Sequence, residues 1–215
     1  MQIKEIRAVQ IQFPRIQPRT PPRRESWRQL SPIGLPMSFY PEFPPTLPWK
    51  TPGIGGRAVW VQVIAEDGTW GLGQTSFGEP VAALVDYHYA PLLTGRDCFA
   101  TELLNDLMWR SSKRHGSVGL SACAQSAIDL ALWDLKGKLL GQPVYRLLGG
   151  PCRDKILCYA TGDDLDWFME LGFKAFKITN PAHYSQGIEG LNIIEEKVAA
   201  AREMVGRSAE LMINP

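Results

Sequence analysis

The chain opens on an alternation. Ile3, Ile6, Val9, Ile11 and Phe13 stand against Lys4, Glu5, Arg7, Gln10 and Gln12. A period of two puts the apolar set on one face, so residues 2–13 are predicted to form a strand. Residues 57–65 (RAVWVQVIA) alternate again, and Trp70-Gly71-Leu72-Gly73-Gln74 starts a return run after Glu66-Asp67-Gly68-Thr69. Asp-Gly between two such runs is a strong hairpin signal, so three antiparallel strands are expected first. The period then changes. Residues 79–93, 99–110 and 121–140 carry apolar residues three and four apart, which predicts helices. In the third, Leu120, Ala124, Ala127, Ile128, Ala131, Leu132 and Leu135 fall on one stripe. Ser121 is the expected N-cap, and Gly141 followed by Pro143 the expected stop.

After Gly149-Gly150 strands and helices take turns. Strands are expected at 155–161, 173–179 and 210–214, and helices at 163–171 and 189–205. That order implies parallel βα units. A closed (β/α)8 barrel takes about 250 residues, so only its opening units fit here. The expected fold is α+β: an N-terminal cap over residues 1–150, with a three-stranded meander and a helical bundle, then the start of an incomplete (β/α)8 barrel over 151–215.

Residues 14–52 follow neither period. They hold 11 of the 17 prolines, five arginines between Arg15 and Arg28, and the aromatics Trp27, Phe39, Tyr40, Phe43 and Trp49. Proline fixes φ and removes a donor, which excludes a helix or a central strand. The aromatic content argues for an ordered flap over a pocket.

Charge and composition remove several function classes. The net charge is +1, so nothing in bulk attracts nucleic acid or an anionic membrane surface. No apolar run reaches the roughly 18–20 residues that span a bilayer, and the N-terminus lacks the apolar stretch of a signal peptide. A cytoplasmic protein is expected. Cys98, Cys123, Cys152 and Cys158 show no C-x-x-C spacing and are expected to be buried reduced thiols. Gly53-Ile54-Gly55-Gly56 precedes a strand, not a helix, which excludes a phosphate loop.

The segment AIDLALWDLKGKLLGQPVYRLLGG, residues 127–150, resembles the signature of the mandelate racemase and muconate-lactonizing branch of the enolase superfamily. Within that branch PMSFY (36–40), CYATG (158–162), GFKAFKIT (172–179) and the run into ELMIN (210–214) are similar to the sugar-acid dehydratases of L-rhamnonate type. The resemblance implies Mg2+-assisted removal of the proton next to a carboxylate, with the metal stabilising the charge that develops. It implies a small carboxylate sugar acid as substrate and a homo-oligomer for the full-length enzymes. In the family, carboxylates at the ends of the third, fourth and fifth barrel strands hold the metal. A histidine from a later strand is acid and base in the rhamnonate group.

The resemblance also nominates residues. Lys177 matches the first lysine of the family's K-x-K segment, with Thr179 in place of the second; it is the catalytic candidate, holding the substrate carboxylate or tuning a base. Lys50, Arg57 and His183 are the candidate substrate contacts, arginine because its planar fork suits a carboxylate. His88 and His115 have weaker claims. Asn214 stands where the family has the first metal-binding aspartate, and a neutral amide is a weaker ligand for a hard cation. With only the opening units of a barrel present, the chain is expected to be inactive alone. Two alternatives stand beside this reading: a non-catalytic binding or oligomerisation module, and another racemase or cycloisomerase of the same branch.

Overall fold

A computed structural model of the chain describes residues 1–12, 14, 23–24, 40, 58–182 and 186–214. They fall into two compact units. One draws on Met1–Pro14 and Pro52–Cys152, the other on Arg15–Thr51 and Arg153–Pro215.

The first unit begins with the predicted meander. β1 (Ile3–Val9), β2 (Val59–Ala65) and β3 (Trp70–Thr75) form one antiparallel sheet in that order. Along β2 every second residue is buried: Val59, Val61, Val63 and Ala65. The turn between β2 and β3 is closed by Asp67, whose Oδ1 accepts from the Thr69 amide at 2.9 Å. A helical stretch follows, made of α1 (Gly78–Ala83), a π-helical segment (Leu84–Tyr89) and α2 (Ala90–Leu93). Val81, Val85, Tyr89 and Leu93 recur every four residues, and all four are fully buried. A four-residue repeat drifts around a helix of 3.6 residues per turn, and the wider π winding counters that drift.

α3 (Thr101–Ser111) and the long α4 (Leu120–Leu140) complete the unit. α4 buries Ala124, Ala127, Ile128, Ala131, Leu132 and Leu135 against the sheet. The helix lies almost on β3 itself. A Cβ added at Gly73 would sit 2.0 Å from the Ala127 carbonyl oxygen, and one at Gly71 equally close to that of Ala131. Only glycine allows that approach. The signature motif therefore has a packing job. Asp134 Oδ2 accepts from the Leu72 amide at 2.8 Å and from Lys138 Nζ at 2.7 Å. Lys138 also donates to the Trp70 carbonyl at 3.0 Å and lies over the Trp70 ring.

One local expectation needs correction. Ser121 is not the N-cap: α4 starts one residue earlier, capped by Gly119 at φ 65, and Ser121 is buried within its first turn. Gly141 does end the helix in the left-handed conformation, at φ 61.

The second unit contains β4 (Ala160–Thr161), α6 (Leu165–Glu170), β5 (Ala175–Ile178), α7 (Gly187–Val205) and β6 (Glu210–Ile213); a short α5 (Val144–Leu147) ends the first. β4, β5 and β6 pair in parallel in that order, the opening of a βα barrel. Phe176 and Ile178 face a small core with Leu165, Ala201 and Val205. The strand predicted over 155–161 shrinks to two residues. Ile156, Leu157 and Tyr159 are exposed, so the apolar run there has no packing partner to hold it extended. The thiol expectation fails in the same region. All four cysteines are free, but Cys152 and Cys158 are exposed and Cys123 is half-buried; only Cys98 is buried.

Candidate functional site

In a βα sheet the residues at the C-terminal strand ends are the ones placed for chemistry. Here β5 supplies the centre. Phe176 and Ile178 point into the core, so alternation puts Lys177 on the opposite face. Lys177 pairs in register with Thr161 of β4 and Met212 of β6, and its side chain is half-buried. Its carbonyl accepts from the Gly162 amide at 3.0 Å, which carries the chain across the end of β4. Asn214 lies just past β6, two residues beyond Met212, and its amide donates to the Ile178 carbonyl at 3.1 Å. Lys177 and Asn214 thus stand on neighbouring strands at the same end of the sheet. Asn214 is exposed. Lys50, Arg57 and His183 lie outside the described residues.

Beside Lys177 is a polar cluster that the sequence reading missed. Thr179, only 3% exposed, donates its hydroxyl to Asp163 Oδ2 at 2.6 Å. Its amide donates to Asp163 Oδ1 at 3.3 Å. Lys197, from α7, donates to Thr179 Oγ1 at 2.6 Å and lies 3.0 Å from Asp163 Oδ1. An ammonium thus reaches Thr179 from the following helix. The cluster pins the loop after β4, the end of β5 and α7 together. A sequence signal existed in Asp163 directly after Gly162, but Lys197 is eighteen residues from Thr179 and of an ordinary type.

A second ionic group lies at the start of α6. Arg23 donates Nη1 to Glu170 Oε1 at 2.9 Å and Nη2 to Glu170 Oε2 at 2.6 Å, with Asp166 Oδ2 at 3.3 Å from Nη1. Arg24 Nη1 bonds Asp164 Oδ1 at 3.0 Å and also Asp166. The hydrogen bond from Arg24 holds the Asp166 carboxyl down at about 2. That from Arg23 lowers Glu170 below the usual carboxylate range.

The first unit has its own opening, a cleft of about 430 Å3 lined by Gln10, Trp60, Glu79 and Asp86 among others. Asp86 Oδ1 is engaged there by the Ala8 amide at 2.7 Å. His88 and His115 stack edge-on with their ring centroids 5.0 Å apart. Burial, with His115 adding to it, pushes the His88 pKa below its ordinary value, and its Nε2 lies 3.1 Å from Ser111 Oγ. The pair sits among the helices of the first unit.

Among the described residues no group of three or more His, Cys, Asp or Glu side chains could hold a metal ion. One amide oxygen at Asn214 does not make a magnesium site by itself. No helix among the described residues is long and apolar enough to cross a membrane.

A meander, a helical cap whose signature residues bind α4 to β3, and an opening parallel βα sheet together define a class. Residues 52–149 match the family model described as "Mandelate racemase / muconate lactonizing enzyme, N-terminal domain". The chain belongs to that branch of the enolase superfamily. It is 41% identical over 182 residues to an L-rhamnonate dehydratase of Saccharopolyspora erythraea, covering 85% of this chain and 46% of that protein. A putative L-rhamnonate dehydratase of Caldivirga maquilingensis is 38% identical over 181 residues, with 84% and 45% covered. The crystal structure of rhamnonate dehydratase from Gibberella zeae complexed with Mg superposes with a TM-score of 0.82 at 30% identity, over 99% of this chain and 52% of that one. The chain spans about half the length of the curated relatives it matches.

Proposed function

We propose that this chain carries the N-terminal half of an acid-sugar dehydratase of L-rhamnonate type, which removes the proton alpha to the substrate carboxylate. The observation that carries the reading is the 41% identity over 182 residues with the Saccharopolyspora L-rhamnonate dehydratase. Residues 1–150 are the cap and 151–215 the first barrel units. The protein is cytoplasmic, its substrate is a small sugar acid, and the completed enzyme is a homo-oligomer.

Lys177, on the face away from the core, is proposed to hold the substrate carboxylate. An ammonium there lowers the cost of the second negative charge that builds up on that group as the proton leaves. Asp163, Thr179 and Lys197 fix the strand end from which Lys177 projects. Lys50, Arg57 and His183 are proposed to contact the hydroxyls and carboxylate of the sugar acid. Magnesium, when bound, supplies Lewis-acid stabilisation of the developing charge. Asn214 occupies the position of its first ligand with a weaker donor. The 215 residues alone are proposed not to turn over, since they span about half of these relatives and bring together no carboxylate cluster among the described residues.

The test is a chimera. The chain is joined after Asn214 to the remaining part of the Saccharopolyspora enzyme and assayed with L-rhamnonate and Mg2+. Dehydration that falls by an order of magnitude or more in Lys177→Met supports the reading. A chimera that melts cooperatively but dehydrates no sugar acid overturns it.

A second reading is favoured by a separate observation. An apolar groove of about 340 Å3 runs along β6 and α7, lined by Ile178, Val198, Ala199, Leu211 and Ile213. β6 also ends the sheet, so one of its edges has no strand partner among the described residues. Both features suit a binding or oligomerisation module. Sedimentation of the 215-residue chain decides it: a discrete, concentration-independent oligomer supports the module.

A further inference from the structure

His88 and His115 both lie in the first unit, in parts of it that the reading of the strand ends does not use. His88 belongs to the π-helical segment Leu84–Tyr89 and is half-buried; His115 lies in the turn after α3 and is exposed. The tautomer of His88 follows from its neighbours. Ser111 Oγ lies 2.8 Å from the Met108 carbonyl and 3.1 Å from His88 Nε2. A carbonyl only accepts, so the single hydroxyl proton of Ser111 goes to Met108, and His88 Nε2–H donates to Ser111. The same rung repeats one residue on. Ser112 Oγ donates to the Met108 carbonyl at 2.8 Å, so the Tyr89 hydroxyl donates to Ser112 at 2.6 Å. The two rungs fasten the π-helical segment to the end of α3. Neutral His88 therefore carries its lone pair on Nδ1, which has no hydrogen-bond partner among the described residues.

A histidine ligand is usually prepared in this way: one ring nitrogen donates to an oxygen, which fixes tautomer and ring, and the other is left for a metal. A second imidazole is close by. The His115 ring meets the His88 ring edge-on, with centroids 5.0 Å apart and planes at 84°. Two imidazoles on one tetrahedral zinc, each with a Zn–N bond of about 2.0–2.1 Å, have ring centres about 5 Å apart. Burial first, and then His115, push the His88 pKa down, so near neutral pH the ring is uncharged and no proton competes for Nδ1. No third His, Cys, Asp or Glu completes the set among the described residues. Asp86, two residues before His88, is engaged by the Ala8 amide. Lys113 and Arg114 directly precede His115 and add positive charge. A hard cation such as Mg2+ finds no carboxylate here, whereas imidazole nitrogens suit Zn2+, Ni2+ or Cu2+. We propose that His88 and His115 form a two-imidazole site for such a transition-metal dication, completed by water, which clamps the turn after α3 to the π-helical segment. The site is separate from any magnesium at the strand ends and does not rest on the dehydratase reading.

The experiment titrates the 215-residue chain with ZnCl2 alone near neutral pH and follows each histidine ring by long-range 1H–15N NMR. Without metal, His88 is expected as the Nε2–H tautomer. Zinc is expected to shift His88 Nδ1 and one ring nitrogen of His115 in step, while MgCl2 moves neither. His115→Gln changes an exposed side chain, so the metal-free chain should melt as before, yet zinc should no longer shift His88 at the same concentrations. Ser111→Ala frees the His88 tautomer and is expected to weaken zinc binding about tenfold. A His88 ring found as the Nδ1–H tautomer would overturn the site. So would zinc that leaves both rings unmoved, as it would if only the exposed Cys152 and Cys158 thiols took it. An affinity at His88 that His115→Gln does not change would also overturn it.

Discussion

The two units of this chain bury their helices on their sheets in different ways. In the first, α4 comes so near to β3 that two glycines are required, and twenty residues form one continuous buried cluster. In the second, five residues form the core, β6 ends the sheet with one edge unpaired among the described residues, and an apolar groove lies open beside it. What the second unit has in place of apolar contact is polar: the Asp163–Thr179–Lys197 cluster and the pairs of Arg23 and Arg24 with Asp164, Asp166 and Glu170. A parallel sheet is normally covered on both faces. The first unit is thus held by one continuous apolar core, and the second by a small core with polar ties at its strand ends.

The contrast can be broken from the largest effect downward. Gly73→Ala forces a methyl against the Ala127 carbonyl, and overpacking of this kind costs about 3 kcal/mol. Chemical denaturation should show the first transition shifted by that amount and the second unit's transition nearly unmoved. If Gly73→Ala melts like the native chain, the close approach of α4 to β3 is wrong. Asp134→Ala is the next test. It leaves the Leu72 amide without its acceptor and frees Lys138, at a cost of about 1–2 kcal/mol, again confined to the first unit. In the second unit Lys197→Met removes a half-exposed charge pair and one hydroxyl contact, worth about 1 kcal/mol after solvent screening. Tryptophan fluorescence from Trp167 should register that loss at lower denaturant than any change in the first unit.

Acid separates the units by sign and window. Burial holds the His88 pKa below its ordinary 6.5, so the folded first unit disfavours the proton. That stability is present above pH 6.5 and is lost as pH falls through the lowered value. Asp166 is depressed from 3.8 to about 2, so its pairs with Arg23 and Arg24 keep their charges until the pH falls below 3.8 and lose them on approach to 2. An acid titration followed by NMR at His88 and at the Asp166 carboxyl should give these two windows in that order. Coincident transitions would mean that one unfolding event governs both.

The legible part of the fold is the part in which period and packing agree. Alternation marks β1, β2 and β3 because one face of each is buried, β2 and β3 under α4 and β1 under the helical stretch 78–93. The three-and-four spacing of Ala124, Ala127, Ile128, Ala131, Leu132 and Leu135 marks α4 for the same reason. Where packing is absent, the pattern misleads. KILCYAT reads as a strand, yet only Ala160 and Thr161 pair. The helix start slipped because Gly119 gives no side-chain cap to recognise. At the candidate site, Lys177 and Asn214 were nominated by the resemblance, and they lie at the same end of the sheet. Asp163, Thr179 and Lys197 were not, because their chemistry depends on a contact between separate elements made by residue types found on any surface.

Residue-level hydrogen exchange tests the contrast most directly. In β6 the Glu210 and Asn214 amides donate to Lys174 and Ile178, so the intervening Leu211 and Ile213 amides face the other edge. Val61, Val63 and Leu132 amides should exchange only on global unfolding of the first unit, whereas Leu211 and Ile213 amides should exchange close to their intrinsic rates. Equal, strong protection at both sets would contradict the account, since it would mean that the strand-end scaffold is already a closed core.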